Sequence, residues 1–385
     1  MRLGRYVRWG MTAAIATVIA HAPYGTKSAE AKDLVIGAIN SLDGPAAFVG
    51  IVAKAGVEVA TEMINKDPEK YLGSKDRKLV VDMRNGGTSL SDAVSLGREF
   101  ARNADCVAIV GPSLTPQAIA LGPFAQQSKI PLLIMTSPGI GLTDPGDYVF
   151  VQSQNGPRIA EMDVKVYMKL HPNTKSAGVM SVTDNQSIIV SADAAEKAFK
   201  DAGVTVTKTA VPFASLDYSS SIDVLKQANV EVIYLGQGGP GMAAAVQQAK
   251  RVGFSPQYVS YGSMVGPSVM KNVGNLLNGA IVATDYDPNL PTPLNKAFFE
   301  AFKKLTNNDP DTYGALGFNS VMVIANAIKS ISGDVTRDKV RDALPRVNME
   351  SILGAGNFSF AADRTIASLP AMLQVENGEV KSFKP

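Results

Sequence analysis

The chain has 385 residues, with 37 Lys+Arg against 35 Asp+Glu, two histidines and one cysteine. Residues 1–31 hold four of those basic residues and one of the acidic ones, which leaves the remainder at a net charge of −1. This composition excludes an intrachain disulfide, a histidine-cluster metal site and a basic stripe of the kind that binds nucleic acid.

The N-terminus reads as a secretory signal. Arg2, Arg5 and Arg8 precede a short apolar stretch over 11–20, and Ala29-Glu30-Ala31 offers a cleavage site, so the mature chain is expected to begin at Lys32. A competing site, Ala20-His21-Ala22, lies closer to the apolar stretch but is followed by Pro23. The stretch is shorter than the ~20 residues that span a bilayer, which predicts a soluble, exported protein. From there the pattern is strand, turn, helix, repeated. Strands are predicted at 34–40, 79–83, 106–110 and 130–135, with helices at 45–66, 91–103 and 116–127. Cys106 stands inside one apolar run and reads as a small buried residue. Such alternation implies a parallel sheet with helices on both faces.

A second run follows the apolar segment 148–151. Helices are predicted near 157–170, 189–202, 219–228 and 242–252, and strands at 177–182, 204–211, 230–235, 258–261 and 280–284. Two helical segments, 294–304 and 312–331, come next. Val321, Ile324, Ala325 and Ile328 give the second an apolar face at helical spacing. The tail from Gly356 reads as short antiparallel strands with turns at Ala362-Asp363 and Asn377-Gly378. The fold class is therefore α/β, with two doubly wound Rossmann-like lobes. The late helices have no sheet of their own and best cover the first lobe. That interleaving predicts a three-strand hinge, with crossings near 151–154, 284–287 and 347–355. The first lobe is then 32–151 plus 285–348, and the second is 152–284 plus 349–385.

Two turns stand out chemically. Val110-Gly111-Pro112-Ser113-Leu114-Thr115-Pro116 and Met135-Thr136-Ser137-Pro138-Gly139 each end an apolar strand in a hydroxyl-bearing turn. In an open α/β sheet that edge is where ligands bind. Thr115 precedes a proline and reads as a helix N-cap, at a terminus that attracts anions. Gly236-Gln237-Gly238-Gly239-Pro240-Gly241 also matches G-x-G-x-x-G between a strand and a helix. It keeps a nucleotide-dependent oxidoreductase as the alternative of another class. The next strand ends in Gly262-Ser263, however, where that fingerprint expects an acid. A catalytic triad on His171 has no G-x-S-x-G elbow to support it.

The series Ile36-Gly37-Ala38-Ile39-Asn40, Asp43-Gly44-Pro45-Ala46-Ala47, Val110-Gly111-Pro112, Ser137-Pro138-Gly139, Leu142-Thr143-Asp144, Tyr148-Val149-Phe150 and Gln247 to Gly253 resembles the type I periplasmic solute-binding proteins of branched-chain amino-acid ABC transporters. The resemblance covers nearly all the mature chain in order. It implies a monomeric periplasmic receptor that closes on a small solute at a hinge and delivers it to a membrane permease. It implies no catalysis, cofactor or metal. In that family the first lobe holds the ligand carboxylate. The match assigns this to Thr115, with the backbone of Ser113 and Leu114, and to the second turn, where Thr136 or Ser137 supplies the hydroxyl.

The second lobe departs from the family. Ser187 stands where the family commonly has a tyrosine, and Gly262 where it has the acid that pairs with the ligand ammonium. A buried ammonium without a partner is costly, which argues against an amino-acid ligand, although Asp184 or Asp285 can compensate. The side-chain-poor turn at Gly238 and Gly239, with Phe48, Tyr261 and Tyr313, leaves an aromatic-walled space. The expectation is an aromatic or 2-oxo carboxylate of the benzoate, phenylglyoxylate or cinnamate kind. A branched-chain or other amino acid is the alternative, and a signalling receptor of the same fold is a further one.

Overall fold

The computed structural model describes Met1 and residues 33–136 and 141–384. The expected leader, Met1 aside, and Ser137 lie outside the described residues. No helix among the described residues is long and apolar enough to cross a membrane.

The chain opens with β1 (Leu34–Asn40), the long helix α1 (Ala47–Lys66) and the short α2 (Pro68–Leu72). Then come β2 (Leu79–Asn85), α3 (Leu90–Arg102), β3 (Cys106–Val110), α4 (Thr115–Gln127), β4 (Leu132–Ile134) and β5 (Val149–Val151). The five strands pair in parallel in the order β2-β1-β3-β4-β5. Every residue of β3, β4 and β5 is buried, as a parallel sheet covered on both faces requires.

The second sheet is built by α5 (Gly156–Leu170), β6 (Ser176–Val182), α6 (Gln186–Asp201), β7 (Thr205–Val211) and α7 (Ser219–Gln227). It continues through β8 (Val232–Leu235), α8 (Gly239–Arg251), β9 (Gln257–Tyr261), α9 (Pro267–Val273) and β10 (Ile281–Thr284). The chain then runs through α10 (Pro293–Thr306), α11 (Thr312–Lys329), α12 (Arg337–Ala343), β11 (Asn348–Glu350) and β12 (Asn357–Ser359). It ends in the antiparallel hairpin β13 (Ala371–Glu376) and β14 (Glu379–Ser382). Asn377 and Gly378, both at positive φ, make its turn, as the Asn-Gly pair predicts. The sheet order is β14-β13-β10-β9-β8-β6-β7.

The late helices cover the first sheet. Phe298, Phe318, Ile324 and Val340 share one buried cluster with Ile36, Val107 and Val110. Helices α1 and α11 meet backbone to backbone. A Cβ on Gly56 would lie 2.0 Å from the Gly314 carbonyl oxygen, and one on Gly317 would lie 2.1 Å from that of Ala53. Only glycine permits such an approach.

The third crossing falls later in the chain than the sequence suggests. Val347, Ile352, Leu353, Phe358 and Ile366 all bury in the first cluster. The small sheet of β11 and β12 therefore belongs to the first lobe, and the chain returns to the second sheet only at β13. The cause is hydrophobic: these side chains complete the core under α11, whereas the second sheet needs only β13 and β14. Gly317→Val is expected to force α1 and α11 apart and to lower unfolding stability by about 3 kcal/mol, the upper end for overpacking. Urea denaturation of the two proteins measures the difference.

Candidate functional site

The carboxyl ends of both parallel sheets open onto one cavity of about 120 Å3. The first lobe contributes Phe48 and Val49 at the start of α1, Ser113, Leu114 and Thr115 at the start of α4, and Met135 and Thr136 after β4. Thr312, Tyr313 and Leu316 come from the first turns of α11. The second lobe contributes Asn185, Ser187 and Ile188 at the start of α6, Phe213 after β7, Gly238 after β8, and Tyr261 and Gly262 at the end of β9. Ser153, Gln154, Thr284 and Asp285, from the first two crossings, form its back wall.

The structure thus brings together Phe48, Ser113, Leu114, Thr115, Thr136, Ser187, Gly238, Tyr261, Gly262 and Tyr313 of the residues expected from sequence. Gly239 is not among them. Its absent Cβ points to Val269 and the Ser263 carbonyl, inside the second lobe. The N-cap expectation for Thr115 is also corrected. Leu114 occupies the cap position without a side-chain bond, and Thr115 is already helical. Its hydroxyl shares a 2.7 Å hydrogen bond with that of Thr136 instead. The two hydroxyls therefore form one polar spot beside the N-terminus of a 13-residue helix, where backbone N–H groups and the dipole favour an anion. Ser113 is held behind them, its Oγ accepting the Ser41 N–H at 3.3 Å. At Gly111, φ is +100° and a Cβ would lie 2.2 Å from the Ile39 carbonyl, so this turn requires glycine.

The walls are aromatic. Phe48 and Tyr313 meet edge to face with centroids 6.0 Å apart. A Cβ on Gly238 would lie 2.9 Å from Phe48 and 3.2 Å from Phe213, so that glycine leaves room for a ring from each lobe. The Tyr313 hydroxyl shares a 2.5 Å hydrogen bond with Ser263 across the cleft, and the Tyr261 hydroxyl donates to the Gln237 carbonyl at 2.5 Å. The G-x-G-x-x-G spacing is thereby explained by packing. Gly241 makes room for the Tyr218 hydroxyl, and the turn's space holds Phe48 and Phe213 rather than a pyrophosphate. His171 stacks on Tyr167, and neither lines the cavity, so it offers no triad there.

Sequence reasoning missed Phe213 as a wall and Ser153, Gln154, Thr284 and Thr312 as lining residues. Asp184 does not face the cavity. Its carboxylate accepts the Phe213 N–H at 2.7 Å and positions that ring. Gly262 cannot be replaced by an acid without movement, because a Cβ there would lie 2.3 Å from the Thr284 hydroxyl. Asp285 is buried at the back wall, where its carboxylate accepts the Ser153 hydroxyl at 3.1 Å and the Gln154 N–H at 2.8 Å. Burial raises its pKa from the usual carboxylate range to about 6, against the lowering effect of those two bonds. The Gln154 side chain donates to the Ser368 carbonyl and the Gly354 N–H to the Asp285 carbonyl. Asp285 and Gln154 therefore tie the first two crossings to each other and to the segment 354–368.

The family described as periplasmic binding protein matches residues 33–379. The chain is 23% identical to Leu/Ile/Val-binding protein homolog 7 of Brucella abortus, over 91% of this chain and 90% of that protein. Its fold is similar to that of a solute binding protein of an ABC transporter from Rhodopseudomonas palustris, solved with 3,4-dihydroxy benzoic acid. The TM-score is 0.81 at 20% identity, covering 91% and 96% of the two chains. It is similar as well to a branched-chain amino acid transporter substrate binding protein from Streptococcus pneumoniae, solved with isoleucine. There the TM-score is 0.79 at 20% identity, covering 92% and 100%.

Because the Asp285 pKa is higher in the folded state than in the unfolded chain, its contribution to stability is lost as pH rises from about 4 through about 6. Asp285→Asn is expected to be more stable than the parent at pH 8, by at most about 3 kcal/mol, with the gain vanishing near pH 4. Thermal unfolding of both proteins across that range measures it.

Proposed function

The chain belongs to the periplasmic binding protein family, and from that premise we propose that it captures a small aromatic or 2-oxo carboxylate in the cleft and delivers it to the permease of an ABC importer. As a member of this family it is a solute receptor and not an enzyme.

The observation that carries the ligand reading is the pairing of one anion-holding spot with aromatic walls. The Thr115–Thr136 hydroxyl pair and the start of α4 supply hydrogen bonds for a carboxylate. Phe48, Phe213, Tyr261 and Tyr313 supply flat apolar faces around it. A cavity of roughly 150 Å3 accepts a benzene ring, so about 120 Å3 suits a single ring held closely. The space at Gly262 has no room for the acid that would hold an ammonium. Solved neighbours of this fold were captured with a hydroxylated benzoic acid and with isoleucine, so the architecture accommodates both ligand classes.

A second reading, an amino acid, is favoured by Asp285, a buried carboxylate on the cavity wall that can receive an ammonium. Titration calorimetry with benzoate, phenylglyoxylate, cinnamate and leucine separates the two. Binding of at least one aryl acid with weak or absent leucine binding is expected, and tight leucine binding with none for the aryl acids overturns the proposal.

Thr115→Ala is expected to weaken aryl-acid binding by about 1–2 kcal/mol, the value of a charge-assisted hydrogen bond. Its melting temperature should fall only slightly, since Thr115 caps no helix and the variant loses only the hydroxyl pair with Thr136. Calorimetry and thermal unfolding of the same preparation measure both.

A further inference from the structure

The cavity is electrostatically lopsided. Among the described residues that line it, Asp285 is the one acid and none is a lysine, arginine or histidine. The groups around Asp285 do not redress this. From the first crossing come the Ser153 hydroxyl and the Gln154 N–H. From α11 come the Tyr313 ring and the carboxylate of Asp311, which is engaged with the Tyr313 and Gly314 N–H groups. From β9 comes Tyr261, and from α5 the buried Asp163, whose carboxyl accepts the Ala283 N–H. On its own segment lie Tyr286 and Asp287, the latter bonded to the Ser382 hydroxyl. Every ionisable group in this set is acidic.

Thr136 and Ser153 each lie two residues beyond the paired positions Ile134 and Val151 of adjacent strands. Thr136 and Asp285 line the same cavity of about 120 Å3, so a carboxylate held on the Thr115–Thr136 hydroxyls shares that enclosed space with the Asp285 carboxyl. Two like charges enclosed that closely, with no cation between them, cannot both stay ionised.

We propose that the solute anion is bound together with one proton, taken from solvent and held on the Asp285 carboxyl. Asp285 is then a specificity-determining residue. It lets the closed site accept a monoanion lacking an ammonium, and its neutral carboxyl turns from acceptor to donor toward the solute. No covalent bond of the solute forms or breaks. The inference rests on the aryl-carboxylate reading. Burial already raises this carboxyl to about 6 in the empty cleft, so at pH 7 it is mostly ionised and takes up the proton when the enclosed solute anion raises it further.

The test is calorimetry of benzoate or phenylglyoxylate binding at pH 7 in phosphate and in Tris, whose ionisation enthalpies differ. The wild type is expected to take up roughly half to one proton per solute, by linkage, and its affinity should fall several-fold between pH 7 and pH 8. Asp285→Asn is expected to take up none and to bind with an affinity flat over that range. Infrared difference spectra of the wild type should show a protonated-carboxyl band on binding at pH 7, a readout independent of the variant. Aryl-acid binding without proton uptake, or uptake unchanged in Asp285→Asn, overturns the inference while the ligand reading stands. Leucine binding with no aryl-acid binding overturns both.

Discussion

The arrangement of the whole molecule depends on the close contact of α1 with α11. These helices are separated by more than 200 residues of chain that complete the first sheet and build most of the second, yet Gly56, Gly314 and Gly317 let their backbones touch. The contact recruits the late segment into the first lobe and fixes the crossings between lobes. It also sets the site, because both helices begin at the cleft. Phe48 lies in the first turn of α1 and Tyr313 in that of α11, and their edge-to-face contact is the outer end of the same interface.

The site then follows from topology. Most of its polar groups sit just beyond the ends of parallel strands, as at Thr115, Thr136 and Asn185, while Thr312 and Tyr313 open α11, which follows a loop from α10. The first lobe supplies hydroxyls and a helix terminus, and the second supplies mainly rings and close-packed glycines. The back wall is made by the crossings themselves. Asp285 serves two purposes there, tying the crossings together and giving the cavity its charge. A hinge that shares an atom with the binding site cannot move without altering what that site recognises.

Much of this was legible in the sequence. The apolar runs at 34–40 and 106–110 are the strands observed, and the hydroxyls of Thr115 and Thr136 do converge. Thr115 lines the cavity, but not as a helix cap. Its place before Pro116 suggested a cap, while the hydroxyl in fact bonds Thr136, a contact between strand ends that local pattern does not encode. Phe213 was invisible because it follows an edge strand in a turn with no periodicity. The last crossing falls elsewhere because Ile352, Leu353 and Phe358 are isolated apolar residues in a segment without periodicity, which either core could bury. Only the unfilled space under α11 decides between them.

The contact at Gly238 also has a bearing on the shape of the cleft. Phe48 of one lobe rests against a residue of the other that has no side chain to yield. At this point the cleft is bounded by a ring and by backbone, neither of which can swing aside as a longer side chain could, so its width there is a property of the fold.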